Sequence, residues 1–364
     1  MVNKLVFENL KHRPVRTLLS IVAIGLEVGL MLTMVGLSRG MLAESARRAR
    51  GVGADIWVRA PGSAAISFST APMPEAMLPF FERQPHVALA TGSVVHPIGG
   101  INTVSGIDLE KFGRMSGAFR YLAGGPFRGP HDILVDERYA AQRKISAGDT
   151  IQIMNRPWHV RGVVEPGKLA RLVVPLRTLQ NLTGTSGKLT QIFLKLDDPK
   201  RTEAVIAALK QQLPDYQIYS IEEFTSLFSV SNFEGLAEFI TVVITLSVLV
   251  GFLVVFLSMY TAVLERTREI GILKSLGASS GYVLSLLLRE TALLAVVGSL
   301  VGILLAYASR WAIGKLVPAS LTQVIVPDWW LIAGLIALAG ALLGALYPGW
   351  KAVRQDALEA LSYE

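Results

Sequence analysis

The chain has 364 residues, of which 51% are hydrophobic and only 17% are charged, and its mean hydropathy is +0.46. A soluble globular chain carries roughly 25% charged residues, so membrane-spanning segments are the expected cause. The chain has no cysteine, which excludes a disulfide framework, a thiolate zinc site and a cysteine nucleophile. The net charge of +7 is not clustered as a nucleic-acid interface requires, so no nucleic-acid partner is expected.

Four long apolar runs occur along the chain. The first, Leu18 to Leu37, has about twenty residues, enough to cross a hydrocarbon core of about 30 Å. It is longer than the apolar part of a cleavable signal peptide, which has roughly 7 to 15 residues. The other runs are Phe239 to Tyr260, Val283 to Trp311, and Trp329 to Tyr347. The sequence therefore predicts four transmembrane helices, three of them near the C-terminal end.

The orientation follows from Lys and Arg in short loops, which favour the cytoplasmic side. These residues occur in the N-terminal flank, in the loop after the second span and in the tail: Lys4, Lys11, Arg13, Arg16, Arg266, Arg268, Lys274, Lys351 and Arg354. Both termini are expected in the cytoplasm, in a multi-pass protein of the bacterial inner membrane. The basic residues just beyond the first span, Arg39, Arg47, Arg48 and Arg50, conflict with this orientation, but they open a long loop, to which the rule applies weakly.

The segment between the first and second spans mixes short strand patterns with short helices and turn signals, which predicts an α+β domain. Asp198 and Pro199 predict the start of a helix, since the first is a good cap and the second suits the first helical turn. From Ile221 the chain is expected to run as a helix into the second span. Gly40 to Arg50 is expected to continue the first span, so that two helices form a stalk.

These patterns give the expected organisation of the chain. It comprises a cytoplasmic N-terminal amphipathic segment 1–16, the first span 17–38, an extracytoplasmic domain with a helical stalk 39–238, the second span 239–260, a cytoplasmic loop 261–281, the third span 282–311, a short extracytoplasmic loop 312–328, the fourth span 329–347 and a cytoplasmic tail 348–364. The expected fold class is a membrane protein with four transmembrane α-helices and an α+β extracytoplasmic domain inserted between the first and second spans.

The loop between the second and third spans, Glu265 to Ala278, predicts a short amphipathic helix at the membrane surface. Gly277 is placed to end it. Gly271 lies in its middle, where glycine costs about 0.5 to 1 kcal/mol and is best explained by close approach of another backbone. The alternative is a positively charged connector that sets topology and docks on lipid headgroups.

Three stretches carry a recognisable pattern: Glu265-Arg266-Thr267-Arg268-Glu269-Ile270-Gly271 with Leu276-Gly277-Ala278; the tail from Tyr347-Pro348 through Lys351-Ala352, Arg354, Asp356 and Glu359-Ala360-Leu361; and Arg16-Thr17-Leu18-Leu19 at the first span. With this order of spans and domain, the chain resembles the MacB/FtsX-like permeases of type VII (mechanotransmission) ABC transporters. Ala357 departs from the pattern, because the family often has proline there.

The resemblance implies that the loop after the second span is a coupling helix, which contacts a cytoplasmic ATPase. The docking residues would be Arg266, Arg268, Glu269, Gly271, Lys274 and Gly277. The permease itself would be non-catalytic and bind no cofactor, with ATP and Mg used by a separate ATPase subunit dimer. The further partners expected are a second permease copy, as a homodimer rather than a heterodimer, membrane lipids and, in some systems, a periplasmic adaptor protein.

Three functions are compatible with the resemblance. The first is an exporter that drives efflux or extraction of periplasmic or lipidic cargo by moving its extracytoplasmic domain. The second is an FtsX-like signalling regulator of an extracytoplasmic enzyme, and the third is Lol-type lipoprotein release. The outer domain, at about 200 residues, is larger than a minimal regulatory domain, which favours transport.

Glu27 is an unusual charge near the middle of the first span, where it costs at least about 2.5 to 3.5 kcal/mol and is expected to face the protein interior. It is expected to point at a dimer interface or at a polar residue of the second span such as Ser247. The alternative is a protonated carboxyl that makes one hydrogen bond. The histidines show no metal-ligand spacing, so no metal site is expected.

Overall fold

The computed structural model describes residues 14–63, 71–99, 102–228, 235–265, 267–316 and 321–354. Within the chain there are two compact units. The first comprises residues 1–38, 235–313 and 323–364, and is the helical unit; the second comprises residues 39–234 and 314–322, and contains the inserted domain.

The helices are α1 Pro14–Arg50, α2 Leu78–Glu82, α3 Leu109–Ser116, α4 Glu137–Arg143, α5 Leu176–Leu182, α6 Thr202–Gln212, α7 Ile221–Ser226, α8 Leu236–Glu265, α9 Thr267–Ser275, α10 Ser280–Leu316 and α11 Asp328–Arg354. The strands are β1 Ile56–Arg59, β2 Met73–Pro74, β3 Val87–Gly99, β4 Asn102–Ile107, β5 Tyr121–Gly124, β6 Asp132–Asp136, β7 Thr150–Ile153, β8 Arg156–Val164, β9 Leu172–Pro175, β10 Lys188–Leu189, β11 Gln191–Leu196 and β12 Gln217–Ser220.

Four of the described helices, α1, α8, α10 and α11, are long and apolar enough to cross a membrane. The predicted fold class, four transmembrane helices with an α+β domain between the first and second, is confirmed. The helices extend beyond the apolar runs, because polar residues at their ends keep the helical backbone. The fourth helix continues through Pro348 to Arg354.

Small residues allow these helices to pack closely inside the chain, as in membrane helix pairs generally. Gly25 of α1 faces α10, where a Cβ would lie 2.9 Å from Cγ1 of Val301. In return, a Cβ on Gly302 of α10 would lie 2.6 Å from Cβ of Val28. A Cβ on Gly344 of α11 would lie 2.9 Å from the Phe252 carbonyl oxygen of α8. These glycines therefore join spans within one copy.

The inserted domain is built on one mixed sheet. Its strand order is β12-β1-β11-β3-β4-β9-β6-β8-β5, and β7 pairs with β8. The pairs β4 with β9 and β6 with β8 are parallel, whereas the other pairs in this sheet are antiparallel. β2 and β10 form a separate two-stranded ribbon.

Both faces of the sheet are covered, because successive strand side chains point to opposite sides. In β1, Ile56 and Val58 pack into one core with residues of α5 and α6. Trp57 packs into the core on the other side with Phe112 of α3 and Phe224 of α7. All four residues of β1 are accordingly buried. Ala49, near the end of α1, belongs to the same core as Trp57, so this end of the first helix is part of the inserted domain.

Two expectations about helices in this domain can be compared with the structure. Asp198 caps a short 3-10 turn by accepting a hydrogen bond from the Lys200 backbone N–H, and α6 follows directly. The helix expected to run from Ile221 into the second span instead ends at Ser226. The chain turns there and Phe228 packs edge to face on Phe224, with ring centroids 5.4 Å apart.

Candidate coupling site and buried polar groups

The short helix α9 connects α8 to α10, in the loop where the sequence predicts an amphipathic helix. Its last turn closes with a backbone hydrogen bond from Ala278 N–H to the Leu273 carbonyl at 2.9 Å. Gly277 has φ +92 at this point, a conformation that glycine adopts without steric cost. Gly277 therefore ends α9, as the sequence predicts.

The two faces of α9 differ in exposure. Thr267 and Ile270 are each 6% exposed, and Gly271, on the same side, is also buried. Ile272 and Leu276 are 44% and 81% exposed. The residues at i, i+3 and i+4 share a helix face, so the face with Gly271 packs on the chain's own helices and the face with Leu276 is open.

Lys274 continues the inner face by one turn. Its Nζ donates a hydrogen bond of 2.6 Å to the Val353 carbonyl oxygen, near the end of α11. A second lysine lies close by, since Lys351 Nζ donates to the Tyr260 hydroxyl of α8 at 3.0 Å. Lys351 Nζ also lies 4.8 Å from the centroid of the Tyr260 ring, within cation–π range. These contacts join α8, α9 and α11.

The remaining predicted docking residues are described only in part or not at all. Arg266 lies outside the described residues. Arg268 and Glu269 belong to α9 by their backbone, and their side chains lie outside the described part of the chain. Gly271, Lys274 and Gly277 are described above.

Glu27 of α1 faces α8, as expected for a charge in a span. It is 6% exposed, and its Oε2 packs so closely on Gly251 that a Cβ there would overlap the carboxyl group. Its Oε1 has no hydrogen-bond partner among the described residues. Ser247, one turn from Gly251, donates its hydroxyl to the Val243 carbonyl instead. Glycine at position 251 therefore provides the space that the carboxyl occupies.

The sequence analysis missed a second buried carboxylate, Glu290 of α10. It is 1% exposed and accepts a hydrogen bond of 2.8 Å from Arg16 Nη2 of α1. One turn further along α1, the hydroxyls of Ser20 and Ser258 of α8 are 2.7 Å apart. The available signal was the pair Arg289-Glu290 inside an otherwise apolar run, where a charge needs a partner.

A further charged cluster lies in the inserted domain and includes some of the basic residues beyond the first span. Glu44 of α1 is 4% exposed and forms ion pairs with Arg48 at 3.3 Å and with Arg138 of α4 at 3.0 Å. Arg48 also reaches Asp136 at 3.3 Å. Arg50 donates to the Thr225 hydroxyl at 3.3 Å. Arg48 and Arg50 therefore make contacts within the domain.

Burial opposes the charged form of both carboxylates in this cluster. At Glu44 the charges of three neighbouring arginines outweigh burial and lower the pKa, whereas at Asp136 burial prevails. Burial raises the pKa of the Asp136 carboxyl, although the Tyr139 backbone N–H and Arg48 both favour the charged form. Burial likewise lowers the pKa of Arg171 to about 10, and the neighbouring Arg48 acts in the same direction. Arg171 still carries its charge at neutral pH, although only 8% of it is exposed.

Within the described ranges, no group of three or more His, Asp or Glu side chains converges in a way that could hold a metal ion. His86 instead pairs with Asp197 at 3.1 Å. The hydrogen bond from His86 and the neighbouring charges lower the pKa of the Asp197 carboxyl.

Four long apolar helices, an α+β domain after the first and a short surface helix between the second and third define a multi-pass membrane protein of the permease class. The chain belongs to the MacB/FtsX-like family of ABC transporter permeases. The family model of the MacB-like periplasmic core domain matches residues 17–212, and that of the FtsX-like permease C-terminal region matches residues 241–357.

Two relatives illustrate the similarity. The chain is 29% identical over 240 residues to the uncharacterized ABC transporter permease YknZ of Bacillus subtilis strain 168, covering 60% of this chain and 57% of YknZ. It is 30% identical over 235 residues to the macrolide export ATP-binding/permease protein MacB of Nitrobacter winogradskyi, covering 59% of this chain and 35% of that protein. The chain thus spans less than two thirds of the length of these relatives.

Among solved structures, the periplasmic region of MacB from Actinobacillus actinomycetemcomitans matches with a TM-score of 0.38 and 18% identity. The match covers 51% of this chain and 97% of that structure.

Proposed function

We propose that this chain is the permease subunit of an ABC-type exporter, in which a partner ATPase hydrolyses ATP and the inserted domain moves periplasmic or lipidic cargo. In this proposal α9 is the coupling helix, and ATP and Mg bind to the partner. Two permease copies, preferably identical, work with an ATPase dimer in the bacterial inner membrane. Both termini and α9 are cytoplasmic, and a periplasmic adaptor is a further candidate partner.

The observation that supports the proposal is the difference in exposure between the two faces of α9. A connector that only sets topology needs Lys and Arg, but it does not need to be buried against the helices. In α9, Thr267, Ile270 and Gly271 are buried against the chain itself, while Ile272 and Leu276 are open. A helix that is buried on one face and exposed on the other can bind a partner through its exposed face. A displacement of the helix by that partner would then move the spans against which its other face packs.

In this proposal the docking set inferred from the resemblance has three parts. Gly271 and Lys274 lie on or beside the inner face, so neither is assigned to the contact with the ATPase. Gly277 ends the helix. The contact with the ATPase is then assigned to Arg266, Arg268 and Glu269, together with the exposed residues Ile272 and Leu276.

The test is copurification of the ATPase with a tagged chain from native membranes, quantified by mass spectrometry. Glu269→Arg should lower the recovered ATPase at least tenfold by reversing a charge at the contact. Gly271→Leu should also lower the recovered ATPase at least tenfold, because a leucine side chain on the buried face would displace α9. Neither change removes a Lys or Arg, so topology should be unaffected.

The matched control is Glu203→Arg, the same charge reversal at an exposed position of α6 in the inserted domain, which should leave ATPase recovery unchanged. The amount of chain extracted from the membrane must be equal in all variants. ATPase recovery at the wild-type level in both Glu269→Arg and Gly271→Leu would contradict the assignment of α9 as the coupling helix.

A further inference from the structure

The contact between Lys274 and Val353 is well suited to hold two helices together. Val353 is the residue before the last described residue of α11, Arg354. A backbone carbonyl oxygen has two lone pairs, so it can accept a hydrogen bond from a side chain. The ammonium of Lys274, at 2.6 Å from the Val353 oxygen, is a charged donor, which forms a stronger hydrogen bond than a neutral one.

The turn of α11 that follows Pro348 needs such support, because this proline lies inside the helix. Proline has no backbone N–H, so one hydrogen bond of the helix is missing at this point. Beyond the proline, Lys351 binds the Tyr260 hydroxyl of α8, and Val353 binds Lys274 of α9. Tyr260 of α8 and Lys274 of α9 thus make hydrogen bonds to the turn of α11 that follows the missing backbone hydrogen bond of Pro348.

α9 itself has little freedom to slide relative to this turn. Its inner face, with Thr267, Ile270 and Gly271, is buried, and Lys274 follows Ile270 and Gly271 by four and three residues. The buried face and the ammonium contact therefore act on the same side of the helix. A displacement of α9 along that side has to displace the end of α11.

We propose that Lys274 is a positioning residue that joins α9 to the end of the fourth span, so that movement of α9 reaches α11 through this contact. The chain connects α9 directly to α8 and α10, but it connects α9 to α11 only through the whole of α10. Lys274 provides a direct side-chain contact between α9 and α11. The proposal rests on α9 being the ATPase contact, and it assigns Lys274 a role inside the permease instead of on the docking surface.

The first test uses the cysteine-free background of the full chain. Cysteines at Ser275 and Arg354, which are both exposed, report the distance between α9 and the last turn of α11 by their cross-linking rate with a short bis-maleimide. Lys274→Met keeps the length of the side chain and removes the donor, and should lower this rate at least fivefold. Lys274→Arg keeps a cationic donor and should restore it to within twofold of wild type.

The second test measures transmission in the purified complex with its ATPase. In wild type, ATP and Mg should change the labelling rate of a cysteine at Pro327, which precedes α11. Lys274→Met should abolish this change while the ATPase still copurifies within twofold of wild type, and Lys274→Arg should retain it. Loss of the response with the ATPase still bound is an effect that a docking defect would not produce.

Several results would overturn the proposal. They are a wild-type cross-linking rate in Lys274→Met, an ATP response at Pro327 that survives in that variant, and failure of Lys274→Arg to restore either measurement. Loss of the ATPase from Lys274→Met with unchanged cross-linking would place Lys274 on the docking surface instead. If the wild-type chain binds no ATPase, the proposed function fails, whereas cross-linking of the permease alone still decides the contact.

Discussion

The ion pair between Arg16 and Glu290 makes a quantitative prediction about the helical unit. Glu290 is 1% exposed, and its Oε1 lies 2.8 Å from Arg16 Nη2. Removing one partner of a buried pair costs about 3 to 5 kcal/mol, because the other charge is left buried. Glu290→Leu removes both charge and acceptor and should lower the free energy of unfolding by about that amount. Glu290→Gln keeps an acceptor oxygen and should cost about 2 kcal/mol, within the range for a hydrogen bond to a charged group.

The measurement is the free energy of unfolding in mixed micelles, titrated with SDS and followed by far-ultraviolet circular dichroism. Arg289→Gln is the matched control, since Arg289 is the neighbouring residue of α10 and is exposed; it should change the free energy by less than about 0.5 kcal/mol. Equal and small effects of Glu290→Leu and Arg289→Gln would refute the claim that the pair stabilises the bundle.

Three further predictions concern other positions. Gly251→Val should destabilise the helical unit by about 1 to 3 kcal/mol through overpacking on Glu27, and Glu27→Ala should partly restore it; Gly340→Ala, whose Cβ would lie 3.5 Å from the nearest side chain, should be tolerated, and equal SDS midpoints for both glycine variants would contradict the packing. Glu44→Gln should lower the free energy of unfolding of the inserted domain by about 2 to 3 kcal/mol, since it weakens charged hydrogen bonds to arginine; a wild-type thermal unfolding midpoint would refute this role. A cysteine replacing Ser146 should react with an impermeant maleimide added from outside, and labelling from the cytoplasm alone would reverse the proposed topology.

Much of the architecture follows from the sequence because its signals are local. The length and hydropathy of four apolar runs determine the spans, since a helix must be long enough to cross the hydrocarbon core. The end of α9 at Gly277 could be predicted, because it depends on the backbone conformation of that one residue. The helix predicted to run from Ile221 into the second span was wrong, since α7 ends at Ser226.

The pairing of buried polar groups could not be predicted, because the partners are far apart in the sequence. Glu290 and Arg16 are 274 residues apart, so no local pattern in the sequence identifies them as partners. The same holds for Lys274 and Val353. Sequence patterns indicate that a charge in a span needs a partner, but the identity of the partner depends on which helices become neighbours.

The sequence by itself determined how many helices cross the membrane, where the α+β domain is inserted and where the connecting helix α9 ends. Only the tertiary structure decided that Gly271 faces inward, that Glu27 rests on Gly251 and that the glycines of the spans join helices of one copy. The physical reason is that in a bilayer a helix face against lipid and a face against another helix are both apolar. The length and hydropathy of an apolar run therefore show that a helix spans the membrane, and packing alone shows what each of its faces contacts.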